Sequence, residues 1–359
     1  MMRLVLAGGG TGGHLFPGLA LAERWVETTG SEVLFIGSVH GLEAKVVPQK
    51  GYPFVALPIK GARGRGWRGW LEFAFQLPSS YWRASRTLRQ FTPRVVVGLG
   101  SYGSVPVILA AWRRRIPVVL LEQNAHPGLA NRLLGRLAWR VCTAFEEAGR
   151  FFPPEKSVYT GNPVRALGGT PNQRRNDSEG FHVLVFGGSQ GARSINRAMV
   201  EAVRILRTRR LPLSLLHQTG AADEQWVRRE YAELGVPARV YAFIDDMASA
   251  YAEADLVVCR AGATTLAELA TVGKPAILVP YPFAADDHQR ANAEVWVAHG
   301  AAEMILDAEL SGEALARKIE DLMSDPQRRE ILARNALRLA RPDATNRVLE
   351  VCAEVGRRG

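Results

Sequence analysis

Three glycine-rich segments hold the residues best suited to bind a negatively charged ligand. Gly8-Gly9-Gly10-Thr11-Gly12-Gly13-His14, Gly98-Leu99-Gly100-Ser101-Tyr102-Gly103 and Gly187-Gly188-Ser189-Gln190-Gly191-Ala192 each follow an apolar run. Glycine admits positive φ and lets backbone N–H groups come close to a ligand. A turn that opens a helix adds a field favouring an anion. The first segment contains GxGxxG at Gly8, Gly10 and Gly13, the fingerprint of a dinucleotide site. That reading needs an acid near the end of the second strand, ~20 residues on, to hold a ribose. The strand ends Phe35-Ile36-Gly37-Ser38 without one, and Glu43 comes too late. No arginine stands there for a 2′-phosphate, so a nicotinamide dinucleotide is disfavoured. The third segment is not GxGxxG, but it offers backbone donors, the Ser189 hydroxyl and a helix start. Glycine turns in both halves of the chain point to a cleft between two domains.

The elements that position these turns are legible as alternating strands and helices. Arg3–Ala7, Glu32–Gly37, Arg94–Leu99, Pro117–Glu122 and Arg140–Ala144 read as strands, and Pro17–Glu27 as a helix. Several are near-continuous Val/Leu/Ile runs, as in parallel sheets covered on both faces. The polar stretch Ala166–Gly180 reads as a linker. The pattern then restarts: strand His182–Phe186, the third glycine turn, and helix Ser194–Arg207. Further strands are expected at Leu213–Gln218, Val240–Ala242, Leu256–Cys259 and Ala276–Val279. Residues from Gly312 on read as helical, with a break at Arg341-Pro342 and a last helix at Ala344–Arg357. The fold class is therefore α/β, with two parallel-sheet domains.

Composition narrows the class. The 359 residues are 47% hydrophobic, as in a globular protein, and no apolar run reaches the ~18–20 residues of a membrane span. The N-terminus MMRLVLAGGG is a poor signal peptide and a good first strand. Cys142, Cys259 and Cys352 stand far apart and read as reduced core thiols. The formal charge of +10 suits a phosphorylated ligand, an anionic lipid or nucleic acid.

Much of that charge lies at residues 60–90. Lys60, Arg63, Arg65, Arg68, Arg83, Arg86 and Arg89 face a single acid, Glu72, and are interleaved with Trp67, Trp70, Leu71, Phe73, Phe75, Leu77, Tyr81 and Trp82. Trp70, Phe73 and Leu77 share one helical face, and Pro78 is expected to limit any helix. Trp112, ahead of Arg113-Arg114-Arg115, reads as a second contact. Basic residues flanking aromatics suit an anionic membrane interface. The same interleaving serves single-stranded nucleic acid, and a core-facing aromatic stripe with a solvated basic face is the bland alternative.

The ordered segments GGGTGGHLFPGLA, GLGSYGSVP, EQNAHPGLANRLL, TGNPVR, GGSQGAR, CRAGATTLAEL and DDHQRANA resemble the MurG family, from about Leu4 to Asn292. That family comprises bacterial N-acetylglucosaminyltransferases that convert lipid I to lipid II in peptidoglycan synthesis, and so serve cell shape and division. The resemblance implies a GT-B fold: two facing Rossmann-like domains with an interdomain cleft. Residues 1–164 would form the acceptor- and membrane-facing domain, with the helix 343–359 returning to it, and 165–342 the donor domain. It implies UDP-N-acetylglucosamine as donor, an undecaprenyl-linked acceptor, and no nucleic acid. It favours a peripheral place on the cytoplasmic face of the bacterial inner membrane, with Arg63, Arg65, Trp67, Arg68, Trp70, Phe73, Leu77, Trp82 and Trp112 as the membrane patch. Carried over by motif, the donor contacts are Thr11, Gly12, Gly13, Asn124, Arg165, Ser189, Ile244, Ala263, Thr264, Thr265, Leu266, Ala267, Glu268 and Gln289. Arg165 and Ser189 would meet the diphosphate. Ile244 would act through its backbone around uracil, Glu268 on the ribose and Gln289 on the sugar.

An α-linked donor and a β-linked product imply inversion by one displacement, in which the acceptor 4-hydroxyl attacks as UDP leaves. That needs a base and a stabilised diphosphate. His14 is the first candidate base, with a loop-orienting role as its competitor; Glu122, at a strand end, is the second. The sequence has no Asp-x-Asp and no histidine metal pattern, so no cofactor and no obligatory metal are expected. Another GT-B enzyme, such as a lipid glucosyltransferase or a UDP-sugar epimerase, is the alternative activity, and a non-catalytic binding protein the alternative class.

Overall fold

The computed structural model describes residues 2–61, 66–164, 180–188 and 190–358. Arg63, Arg65, Arg165, Ser189 and linker residues 166–179 lie outside them. The chain divides into two units, residues 1–165 with 341–359, and residues 166–340.

The first unit is built on seven parallel strands: β1 (Leu4–Ala7), β2 (Val33–Ser38), β3 (Phe54–Leu57), β4 (Val95–Gly98), β5 (Val118–Glu122), β6 (Arg140–Thr143) and β7 (Ser157–Tyr159). Their order is β3-β2-β1-β4-β5-β6-β7. Every residue of β1, β4 and β5 is buried. Helices cover both sheet faces, so these strands read as unbroken apolar runs. The winding direction reverses between β1 and β4. The Gly8–His14 and Gly98–Gly103 turns leave from those two strands, at the crevice that such a reversal opens. Strands β3 and β7 were not legible in sequence, being short and only half-buried at the sheet edges.

The helix Gly66–Phe91 runs unbroken across Pro78, contrary to the expected limit. Proline removes one N–H and crowds the carbonyl four residues back. Pro78 and Ala74 both face solvent, so water can satisfy that carbonyl. The last helix, Ala344–Arg358, packs on this unit. Val348, Leu349, Cys352 and Val355 join Leu4, Leu6, Leu21 and Trp25 in one core cluster, and Arg24 Nε donates to Asn346 Oδ1 at 3.0 Å.

The second unit repeats the plan with β8 (Phe181–Phe186), β9 (Leu213–Gln218), β10 (Ala238–Tyr241), β11 (Leu256–Cys259), β12 (Ala276–Leu278) and β13 (Glu303–Met304). The order β10-β9-β8-β11-β12-β13 is again parallel throughout, with its reversal between β8 and β11. The Gly187–Ala192 turn leaves from β8, and the helix Ala263–Val272 follows β11. The two-residue β13 is too short to announce itself in sequence. The three cysteines are buried and unpaired, and burial raises each thiol above its usual range.

Candidate active site

In the first unit the glycine turn is held from inside. Gly8, Gly9 and Gly10 all have positive φ, at 96°, 149° and 77°. Their N–H groups are already engaged: Gly8 donates to the Ile36 carbonyl at 2.8 Å, Gly9 to Ser101 Oγ at 3.3 Å and Gly10 to Glu43 Oε2 at 2.6 Å. Glu43, passed over as too late for a ribose, is fully buried and closes this turn; its second oxygen accepts from the Ser38 N–H at 2.9 Å. Three glycines make room for the carboxyl. A Cβ on Gly9 or Gly37 would stand 2.9 or 2.8 Å from it, and one on Gly41 would collide with it. A carboxylate with two N–H partners needs no ribose. The three glycine N–H groups are thus spent within the fold, and the helix Gly12–Thr29 that follows starts at Thr11 without a side-chain cap bond.

The neighbouring turn after β4 carries stored strain. Ser101 has φ 85° and ψ 157°, a region nearly exclusive to glycine. The Ser104 hydroxyl donates to its carbonyl at 2.7 Å, and Ser101 Oγ accepts from Gly9. The two glycine turns thus hold each other. Beside them lies a cavity of about 500 Å³ lined by Thr11, His40, Lys60, Ser101 and Tyr102 among others. The helix Gly66–Phe91 props its wall: Trp70 and Phe73 pack edge-on against Tyr102 at 5.8 and 5.7 Å.

His14, in the first turn of its helix, is half-buried, and its Nδ1 lies 3.0 Å from Gln123 Oε1. Glu122 is placed otherwise. It is only 2% exposed, and four N–H groups surround its carboxyl: the Asn124 backbone at 3.0 Å, Asn124 Nδ2 at 3.3 Å, Asn131 Nδ2 at 2.9 Å and the Gly128 backbone at 3.3 Å. Burial pushes this carboxyl up to about 7, against the opposing pull of those hydrogen bonds. Glu122 thereby shapes the Asn124–Gly128 loop and orients Asn124. Its oxygens are turned into that loop.

In the second unit, Gln218 ties two loops together. Its Nε2 donates to the Gly188 carbonyl at 2.8 Å, and its Oε1 accepts from the Ile244 N–H at 2.9 Å. The Ile244 N–H is thus spent on Gln218. The Gly191 turn passes so close to Thr219 and Gly220 that a Cβ on Gly191 or Gly220 would strike the facing backbone. The helix Ala263–Val272 starts at Gly262 with no side-chain cap. Ala263 and Leu266 are buried and can meet a ligand only through backbone, whereas Thr264, Thr265, Ala267 and Glu268 are half-exposed. Glu268 Oε2 accepts from the Tyr251 hydroxyl at 2.9 Å. Gln289 Oε1 accepts from the Tyr281 N–H at 3.0 Å, which fixes the orientation of its amide.

Sequence reasoning missed Arg260. Its guanidinium is buried and donates to the Val279 and Pro280 carbonyls at 3.1 Å, to Asp307 Oδ1 at 2.5 Å and to Ser194 Oγ at 2.8 Å. It fixes the end of β11 against its neighbours; its position directly after an apolar run was the available signal. Among the described residues, no three His, Cys, Asp or Glu side chains cluster as metal ligands would.

Residues 4–143 match the glycosyltransferase family 28 N-terminal domain and residues 182–348 its C-terminal domain. A UDP-N-acetylglucosamine–N-acetylmuramyl-(pentapeptide) pyrophosphoryl-undecaprenol N-acetylglucosamine transferase of Anaeromyxobacter dehalogenans is 49% identical, over 99% of this chain and 94% of that protein. The transferase of the same name from Geobacter metallireducens is 46% identical over 97% of each. The chain belongs to the MurG family. Acinetobacter baumannii MurG superposes with a TM-score of 0.82 at 33% identity, over 99% of this chain and 100% of that one. A Neisseria meningitidis UDP-GlcNAc 2-epimerase bound to UDP-GlcNAc has a TM-score of 0.68 at 14% identity, which is likeness of fold. As a MurG-family glycosyltransferase, the chain has the GT-B plan of two parallel-sheet α/β domains. The motifs that mark the family are, physically, the places where backbones pass too close for a Cβ or where a buried side chain ties two loops.

The expected membrane-patch residues on the helix Gly66–Phe91 divide between two of its faces. Phe73 is 9% exposed and Leu77 packs on the same core, so both belong to the inner face, with Trp70 at its margin. The outward stripe is Trp67, Leu71, Phe75 and Trp82, of which Phe75 is 83% exposed. These residues recur at four- and seven-residue intervals. Arg68 lies over the Trp67 ring and Arg86 over Trp82, at 5.6 and 5.8 Å. Trp112 is exposed at the end of the helix Val105–Arg113, where Arg114 Nε donates to Ser85 Oγ at 3.0 Å. Among the described residues, no helix is long and apolar enough to cross a membrane.

Proposed function

We propose that this chain transfers N-acetylglucosamine from UDP-N-acetylglucosamine to the 4-hydroxyl of a lipid-linked N-acetylmuramoyl-pentapeptide, with inversion. The observation that carries this reading is the 49% identity to a transferase of that name, over nearly the whole of both chains. The second unit, residues 166–340, is the donor domain. Its uncapped helix start at Gly262–Ala263 faces the diphosphate, with Arg165 and Ser189 as the motif partners. Glu268 holds the ribose, the Ile244 carbonyl meets uracil, and the Gln289 amide donates to the sugar. The first unit takes the acceptor in the cavity beside Thr11, Lys60, Ser101 and Tyr102. His14 removes the proton from the attacking hydroxyl as the bond to the leaving UDP breaks.

The acceptor's lipid tail calls for a membrane-facing surface. The outward stripe of Trp67, Leu71, Phe75 and Trp82 with its arginines supports peripheral binding to the anionic cytoplasmic leaflet. Transfer of labelled N-acetylglucosamine from UDP-N-acetylglucosamine to a lipid I analogue tests the activity. Absence of transfer, with donor hydrolysis or epimerisation in its place, refutes it.

A further inference from the structure

We infer that Gln123 is a positioning residue that fixes the His14 imidazole in the tautomer whose Nε2 carries the lone pair. Gln123 is 1% exposed, and its Nε2 donates to the Leu99 carbonyl at 2.9 Å. Flipping the amide would set two acceptor oxygens against each other in a buried place, which costs a hydrogen bond and leaves the carbonyl unpaired. The amide orientation is therefore settled by the backbone of the turn after β4. Its Oε1 then faces His14 Nδ1 across 3.0 Å. Only an N–H on Nδ1 makes that contact attractive, so in the neutral ring the proton sits on Nδ1 and the lone pair on Nε2.

The room for this contact comes from Gly100. A Cβ there would stand 3.0 Å from His14 Nδ1 and 3.3 Å from Gln123 Oε1, and its φ of +81° disfavours other residues. The strained turn, the buried amide and the imidazole thus form one chain: Leu99 carbonyl, Gln123, His14. This is the orienting third group of base-assisted catalysis. Here it is neutral, so it sets the tautomer without adding charge.

The inference rests on the reading of His14 as the base, but its test separates the two. Nitrogen-15 NMR of the full-length protein labelled at histidine, with His14→Ala for assignment, reads the tautomer directly. The expected result is Nδ1–H for His14 in the unaltered chain and a mixture in Gln123→Leu. Gln123→Leu should lower kcat roughly 10- to 100-fold, the scale seen when a partner that orients a metal-bound histidine is lost, with the KM for UDP-N-acetylglucosamine unchanged. Gln123→Glu sets a carboxylate against the Nδ1–H and stabilises the imidazolium, moving the acid limb of the kcat profile up by about one pH unit or more. An Nε2–H tautomer in the unaltered chain overturns the inference, whatever the variants do. So does a Gln123→Glu enzyme with an unmoved pH profile. If His14→Ala keeps full turnover while the Nδ1–H tautomer is found, the base role falls and the hold of Gln123 on the ring stands.

Discussion

The Gly10 N–H donates to the Glu43 carboxylate across 2.6 Å, and this bond closes the first glycine turn from within. The carboxyl is fully buried, and its other oxygen takes the Ser38 N–H. Glu43→Gln offers an NH₂ to one of two N–H donors and leaves a buried pair unmatched. The expected cost is about 1–3 kcal/mol, read as a lower Tm, with kcat/KM reduced because Thr11 and His14 ride on that turn. A variant with unchanged Tm and activity would show the bond to be idle.

His14→Ala should lower turnover by roughly 10²-fold or more, the scale of lost general-base catalysis. Steady-state kinetics decide it. A variant that binds donor more weakly but turns over normally would assign His14 to orienting the loop.

Glu122 should make the chain less stable as the solution becomes more alkaline. Its carboxyl is raised from 4.5 to about 7 in the folded state. The folded chain thus holds a proton that the unfolded chain releases first, so the contribution is complete below pH 4.5 and is lost as pH rises to about 7. Thermal melts across that window should fall by an amount of order 2–3 kcal/mol. Glu122→Gln should flatten the slope; an equal slope in the variant would assign the effect elsewhere.

His217 gives the opposite slope. It is fully buried, with Nδ1 2.8 Å from the Tyr231 hydroxyl and Nε2 3.1 Å from Asn196 Oδ1, and burial lowers its pKa from 6.5 to about 3. Its contribution is present above pH 6.5 and is lost as pH falls towards 3, because the unfolded chain takes the proton first. His217→Gln keeps a donor and an acceptor without a titration. Melts of that variant should hold their Tm better between pH 6.5 and 4; a parallel loss would contradict this.

The outward stripe should govern membrane binding without touching chemistry. Replacing Trp67, Phe75 and Trp82 by serine should reduce co-sedimentation with anionic vesicles at least tenfold, at about 1.5–3 kcal/mol per buried aromatic. Turnover on a soluble acceptor analogue should persist. Equal binding to neutral vesicles, or none by the unaltered chain at low salt, would refute the membrane face. Replacing Phe73 should instead lower Tm, since it packs in the core.

The sequence alone determined what depends on local pattern. The apolar runs before Gly8, Gly98 and Gly187, the polar break near residue 170 and the last helix were legible because strand burial and helix periodicity are written residue by residue. The ordered motifs carried the family and its reaction. Only the tertiary structure decided which residue serves which neighbour. Glu43 meets Gly10 from 33 positions away, and Gln123 meets His14 from 109. Both meetings depend on the strand order that sets β1 between β2 and β4 and adds β5 beyond. The same holds for the helix Gly66–Phe91. Its periodicity named one aromatic face, Trp70, Phe73 and Leu77, but that this face meets the core while Trp67, Leu71, Phe75 and Trp82 point outward follows from where β3 and the Tyr102 turn lie. Pro78 persists inside it because that side of the helix faces water. Local pattern fixes an element's kind, whereas side-chain partners belong to the arrangement of elements, which no short window of sequence contains.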